Sequence, residues 1–113
     1  MNITEQEIGL VHVLTVVGRV DSLTSKALED VVIPKMQASP ALVIELKAVQ
    51  YVSSAGLRVL LKTAKIAKAN GHRLILSGLA PQVQEVFDIS GFSSIFEIQA
   101  DQQKCLEALA QSA

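Results

Sequence analysis

The sequence predicts a single α/β domain in which an antiparallel hairpin opens a largely parallel sheet, on three observations. Segments rich in β-branched and apolar residues alternate with segments whose apolar residues recur every three or four positions, in the order β, β, α, β, α, β, α, β, α. The 113 residues suffice for one core and are too few for two ordinary domains, so residues 1–113 are read as one unit. Half of them are apolar, 19% are charged and the mean hydropathy is +0.38, which excludes a disordered chain and requires a sheet buried on part of both faces.

Residues 2–8 and the β-branched run "VHVLTVVG" form the predicted hairpin, turning at Gly9. In "VDSLTSKALEDVVIPKMQ" the period becomes helical: Leu23, Ala27, Leu28, Val31, Val32 and Met36 share a stripe, Asp21 or Ser22 can cap the start, and Pro34 should bend or interrupt the last turn. "ALVIELKAV" is nearly all apolar, as a central strand covered by helices must be. A four-turn helix follows from Ser54, with Leu57, Leu60, Leu61, Ala64 and Ala67 inward and Asn70-Gly71 as its stop. "HRLILSGL" gives the next strand. "PQVQEVFDIS" gives a short helix that starts at Pro81, turns Val83, Val86 and Phe87 inward and ends at Gly91. "SIFEI" is the last strand, and "DQQKCLEALAQ" the last helix, capped by Asp101 with Cys105, Leu106 and Leu109 inward.

Several classes of function lack support. Ten basic against eleven acidic residues leave a net charge of −1, so no global field draws the chain to nucleic acid or to an anionic membrane. The single cysteine cannot form an internal disulfide and has no metal-site spacing, which fits a reducing cytoplasm; Cys105 reads as a small apolar helix residue, with a redox sensor as the rival. The N-terminal residues lack the pattern of a secretory signal, and no apolar run approaches the roughly 20 residues that span a bilayer. His12 and His72 fall inside predicted strands and read as sheet-surface or hydrogen-bonded side chains rather than catalytic bases. The acids Asp21, Asp30, Asp88 and Asp101 lie at helix ends or on helix surfaces, without a pair spaced for acid–base work or a metal cluster. Glycine-rich phosphate loops are missing too, and the central strand does not end in the aspartate that a receiver domain needs. No enzyme chemistry, metal or cofactor is therefore expected.

What remains is "SSAG" at a strand-to-helix junction. Ser53 and Ser54 can both offer oxygens to the unpaired amides of the first turn, a cap worth about 1 kcal/mol. The same helix end also accommodates a phosphate on Ser54, which would present about two new negative charges to any docked partner. Arg58, Lys62, Lys65 and Lys68 make a basic strip opposite the leucines, either a solvated face or a surface that steers an acidic partner toward Ser54 with Arg58 nearest.

The run "LKAVQYVSSAGLRVLL", with "GRVD" upstream and "PQVQEVFDISGF" downstream, resembles the STAS domains of bacterial anti-sigma factor antagonists along nearly the whole chain. That resemblance implies a mixed sheet with interleaved helices, in agreement with the element order. It further implies a non-enzymatic, cytoplasmic partner switch: the unphosphorylated form binds an anti-sigma factor that is often also a serine kinase, phosphorylation ends the binding, and a serine phosphatase of the PP2C type restores it. Carried over residue by residue, the phosphoacceptor is Ser54. Ser53 stands where many members have aspartate, which removes a charge beside the acceptor and adds a second hydroxyl. Asp21 matches an aspartate common near the phosphoserine and could equally cap the first helix. The implied partner surface comprises Asp21, Ser53, Ser54, Gly56 and Arg58; at Gly56 a side chain should hinder close approach, although alanine would gain about 1 kcal/mol of helix propensity. The alternative is a constitutive scaffold of the same fold in a larger signalling or transport assembly, with Ser54 only a cap. A small-molecule or nucleotide binder is a third reading, without a phosphate loop to support it.

Overall fold

The computed structural model describes residues 1–111; positions 112 and 113 of the predicted unit lie outside the described residues. The elements are β1 (Asn2–Ile8), β2 (Val11–Val20), α1 (Ser25–Ala38), β3 (Ala41–Val52), α2 (Ser54–Asn70), β4 (Arg73–Ser77), α3 (Pro81–Ile89), a 3₁₀ turn (Phe92–Ser94), β5 (Glu97–Gln99) and α4 (Gln102–Gln111). They build one mixed sheet in the order β1-β2-β3-β4-β5, with β1 antiparallel to β2 and every later pairing parallel. Each parallel step needs a crossover, and crossovers of one hand that advance the sheet in one direction place their helices on one face.

The core follows that rule. Leu42, Ile44 and Leu46 of β3 point into the larger core, with Leu28, Val32 and Met36 of α1, Leu57 and Leu60 of α2, and Val83 and Phe87 of α3. On the opposite face Val43 joins Val13, Ile75 and Cys105, the last contributed by α4. This two-sided burial is why "LVI" in β3 carries no polar alternation. Burial pushes the Cys105 thiol pKa up, away from the thiolate that redox chemistry uses.

Several sequence expectations need correction. Leu23 is 89% exposed and Ala27 also faces solvent, because the polar segment after Asp21 folds as a turn and α1 begins only at Ser25. Pro34 does not interrupt α1, which runs on to Ala38. Pro34 is itself exposed, on the solvent side of α1, where the helix tolerates a missing donor more readily than against the core. Val86 lies on the outer side of α3, 40% exposed, while Val83 and Phe87 face inward. The last strand is shorter than "SIFEI": the 3₁₀ turn takes up Ser94, and Phe96 is buried against Phe87 at a ring-centroid distance of 5.6 Å before pairing starts at Glu97. His72 precedes β4 rather than lying within it, and its Nδ1 is 2.8 Å from the Met36 carbonyl oxygen. β3 extends to Val52, three residues past the predicted apolar run, which carries the strand right up to "SSAG".

Candidate functional site

β2 and β3 end side by side. Val20 and Val52 are register partners, and the Ser53 amide donates to the Val20 carbonyl at 2.8 Å, fixing the exit of β3 against the end of β2. Ser53 has the extended backbone of an N-cap, φ −78° and ψ 172°, and its Oγ accepts from the Gly56 amide at 3.2 Å. Ser54 is the first helical residue; it is exposed, and its hydroxyl makes no hydrogen bond among the described residues. The two serines thus divide the tasks that the sequence left shared: Ser53 secures the helix end, and Ser54 presents a free hydroxyl.

Gly56 is buried under this turn. A Cβ there would stand 2.7 Å from Val20 Cγ1, 3.0 Å from Val52 Cγ1 and 3.3 Å from the Val20 carbonyl oxygen. The close approach of α2 to the two strand ends therefore opposes the helix propensity that alanine would gain. Gly56 bears on the surface through the position it allows Ser54, not through a face of its own.

Asp21 organises the neighbouring turn. Its Oδ1 accepts from the Leu23 amide at 2.9 Å and the Thr24 amide at 3.1 Å, and these bonds, the Leu23 one foremost, hold the carboxyl below the usual aspartate range. Thr24 Oγ1 accepts from the Asp21 amide at 2.9 Å and lies 2.9 Å from the Arg19 carbonyl oxygen, to which it donates. Asp21 thus closes a turn ahead of α1 and does not cap the helix as expected: the N-cap position is Thr24, whose side chain makes no cap hydrogen bond. Arg19 Nε is 3.9 Å from Asp21 Oδ2, and the Arg19 guanidinium lies 4.5 Å from the Tyr51 ring centroid. Sequence reasoning missed Thr24, although the Asp-x-x-Thr spacing is a recognisable turn signal. It also missed the Arg19–Tyr51 stack, which depends on a register shifted by irregularities in the β2–β3 pairing, where β3 carries the extra residues.

Because the Asp21 pKa is depressed in the folded protein, its stabilisation of the turn is fully present above the ordinary aspartate pKa and is lost as pH falls through the lowered folded value. In an acid titration followed by NMR, the Leu23 and Thr24 amide resonances should move together with a midpoint below the usual range. Asp21→Asn should abolish that step; an unchanged step in the variant would refute the assignment.

Arg58 is exposed, one turn after Ser54, and borders two depressions. One lies toward α1, with Glu29 and Lys62; the other holds Ser54, Leu61 and Phe92. The basic strip divides here. Lys62 Nζ is 2.6 Å from Glu29 Oε2, whereas Arg58, Lys65 and Lys68 have no ionic partner among the described residues. Among those residues no group of three His, Cys, Asp or Glu side chains is placed to hold a metal, and no helix is long and apolar enough to cross a membrane.

Fold and junction together define a class: a small mixed-sheet α/β domain that presents an exposed hydroxyl at the N-terminus of the helix following its central strand. The chain belongs to the STAS domain family, whose model matches residues 2–105. It is similar to BtrV of Bordetella bronchiseptica, 36% identical over 99 residues that cover 87% of this chain and 85% of that protein. It is also similar to the anti-sigma-B factor antagonist of Bacillus subtilis, 32% identical over 87 residues covering 77% and 80% of the two chains. The fold superposes on the anti-sigma factor antagonist SpoIIAA solved in its unphosphorylated form, at a TM-score of 0.75 and 12% identity, covering 99% of this chain and 100% of that one. The phosphorylated form of SpoIIAA, from Bacillus, gives a TM-score of 0.74 at 14% identity, covering 96% and 99%. At such identities these likenesses speak for the fold alone.

Proposed function

We propose that this protein is an anti-sigma factor antagonist, a non-enzymatic cytoplasmic regulator that binds an anti-sigma factor through the surface around Ser54. The bound factor is also the serine kinase that phosphorylates Ser54 and so ends the complex; a phosphatase of the PP2C type removes the phosphate. The observation that carries this reading is the free, exposed hydroxyl of Ser54 beside a Ser53 already committed to capping. The relatives named for sigma-factor control support it, as does a fold shared with a protein solved both with and without phosphate.

A phosphate on Ser54 would project from the first turn of α2, where negative charge is tolerated and the amide ladder behind it is undisturbed. The switch then acts by changing surface charge, not by unfolding the helix. Asp21, next to the Val20 carbonyl that holds the Ser53 amide, and Arg58, one turn along α2, are the polar groups a partner would meet first.

Incubation with the cognate kinase and ATP should add one phosphate to wild type and to Ser53→Ala, and none to Ser54→Ala. Loss of the cap in Ser53→Ala should cost about 1 kcal/mol in urea denaturation. Labelling that persists in Ser54→Ala, or vanishes only in Ser53→Ala, would overturn the assignment.

A further inference from the structure

The depression beside Ser54 does not end there. Leu61 is shared between it and a second depression formed with Ala64 and Ile95, so the two adjoin and together make a groove along the outer side of α2 between Ser54 and Lys68. At about 1.5 Å per residue this path is about 21 Å long, close to four helical turns. Its floor is aliphatic. Its far wall is the segment linking α3 to β5, where Phe92 lines one end and Ile95, whose amide donates a hydrogen bond to the Phe92 carbonyl at 2.9 Å, stands 55% exposed at the other. Arg58, Lys65 and Lys68 rim it, and these are the strip cations that lack an ionic partner among the described residues.

We propose that this groove docks an acidic amphipathic helix of a partner protein, with apolar side chains on Leu61, Ala64 and Ile95 and carboxylates on Lys65, Lys68 and Arg58. The charge of the rim selects the occupant: three unpaired cations over an aliphatic floor complement a helix carrying acids beside an apolar stripe. A net charge of −1 gives the whole chain no attraction for a polyanion, so the cations act locally, at the groove. Arg58 stands four residues after Ser54, within reach of a phosphate there, so the groove and the junction meet at one residue. The groove is nevertheless a surface of its own and extends well beyond the junction.

The test uses the unphosphorylated full chain, so its outcome is independent of whether Ser54 is phosphorylated. The probe is a stapled helical peptide of about 15 residues, with leucine at every third or fourth position and glutamate elsewhere. A matched peptide carrying lysine for glutamate is the control. In ¹⁵N NMR titration the acidic peptide should shift the amides of Leu61, Ala64, Lys65, Lys68 and Ile95, with an affinity that falls as salt is raised. The exposed-residue variants Lys65→Glu/Lys68→Glu and Ile95→Ser should each bind at least tenfold more weakly while their remaining spectra stay native. Absent shifts in the groove, equal binding of the lysine peptide, or undiminished binding by both variants would overturn the proposal. So would concentration-dependent shifts of Ile95 without peptide, which would assign the groove to a second copy. Binding to phosphatidylglycerol vesicles without any peptide shift would assign it to a membrane and overturn the proposal equally.

Discussion

Ser54→Asp should bind the anti-sigma factor at least tenfold more weakly than wild type in titration calorimetry, a loss of about 1.4 kcal/mol or more, while melting at or slightly above the wild-type temperature. The two effects have different origins. A carboxylate at the first helical position interacts favourably with the unpaired amides of that turn, typically by about 0.3–1 kcal/mol, and Ser54 has no hydrogen bond to lose among the described residues. In the proposed complex the same charge would enter an interface that otherwise takes a neutral hydroxyl, where desolvation and repulsion oppose it. One carboxylate carries less charge than a phosphate, so the phosphorylated protein should be weaker still. Ser54→Ala should bind as wild type. Undiminished affinity of Ser54→Asp would remove charge exclusion as the basis of the switch.

Gly56→Ala should destabilise the protein by a net of up to about 2 kcal/mol, measured by urea denaturation, and should weaken the partner as well. Overpacking a close contact costs about 1–3 kcal/mol, against a gain of about 1 kcal/mol in helix propensity. The contact decides the sign. An added methyl would press on Val20 Cγ1 at 2.7 Å and on the Val20 carbonyl, and that carbonyl is the acceptor that holds the Ser53 amide. Relief by moving α2 outward would lengthen that bond and displace Ser54 together with its cap. A variant as stable as wild type, with wild-type affinity, would show that the two valines yield without disturbing the junction.

The alternation of elements was legible because each depends on local periodicity. The apolar run of β3 had to be buried on both faces, and the leucines of α2 had to face a sheet. Errors fell where a local signal competed with a tertiary one. Leu23 matched the helical stripe of α1, but Asp21 and Thr24 form a hydrogen-bonded turn that ends before the helix begins, leaving Leu23 in solvent. Val86 matched the stripe of α3, yet a nine-residue helix packed over a strand end has room for only Val83 and Phe87 beneath it.

The β-hairpin entry, the β/α alternation, the position of the serine pair between strand and helix, and Asp101 as the cap of α4 could all be read along the chain. These follow from residue spacing and backbone chemistry, which act over a few positions along the chain. Long-range packing settles which serine is free, what crowds residue 56, and how the basic strip divides between a pairing with Glu29 and an open groove. A helical period assigns each side chain an angle around its own axis. What lies at that angle, whether Val20, Glu29 or Ile95, is set by elements distant in sequence that the sheet brings alongside.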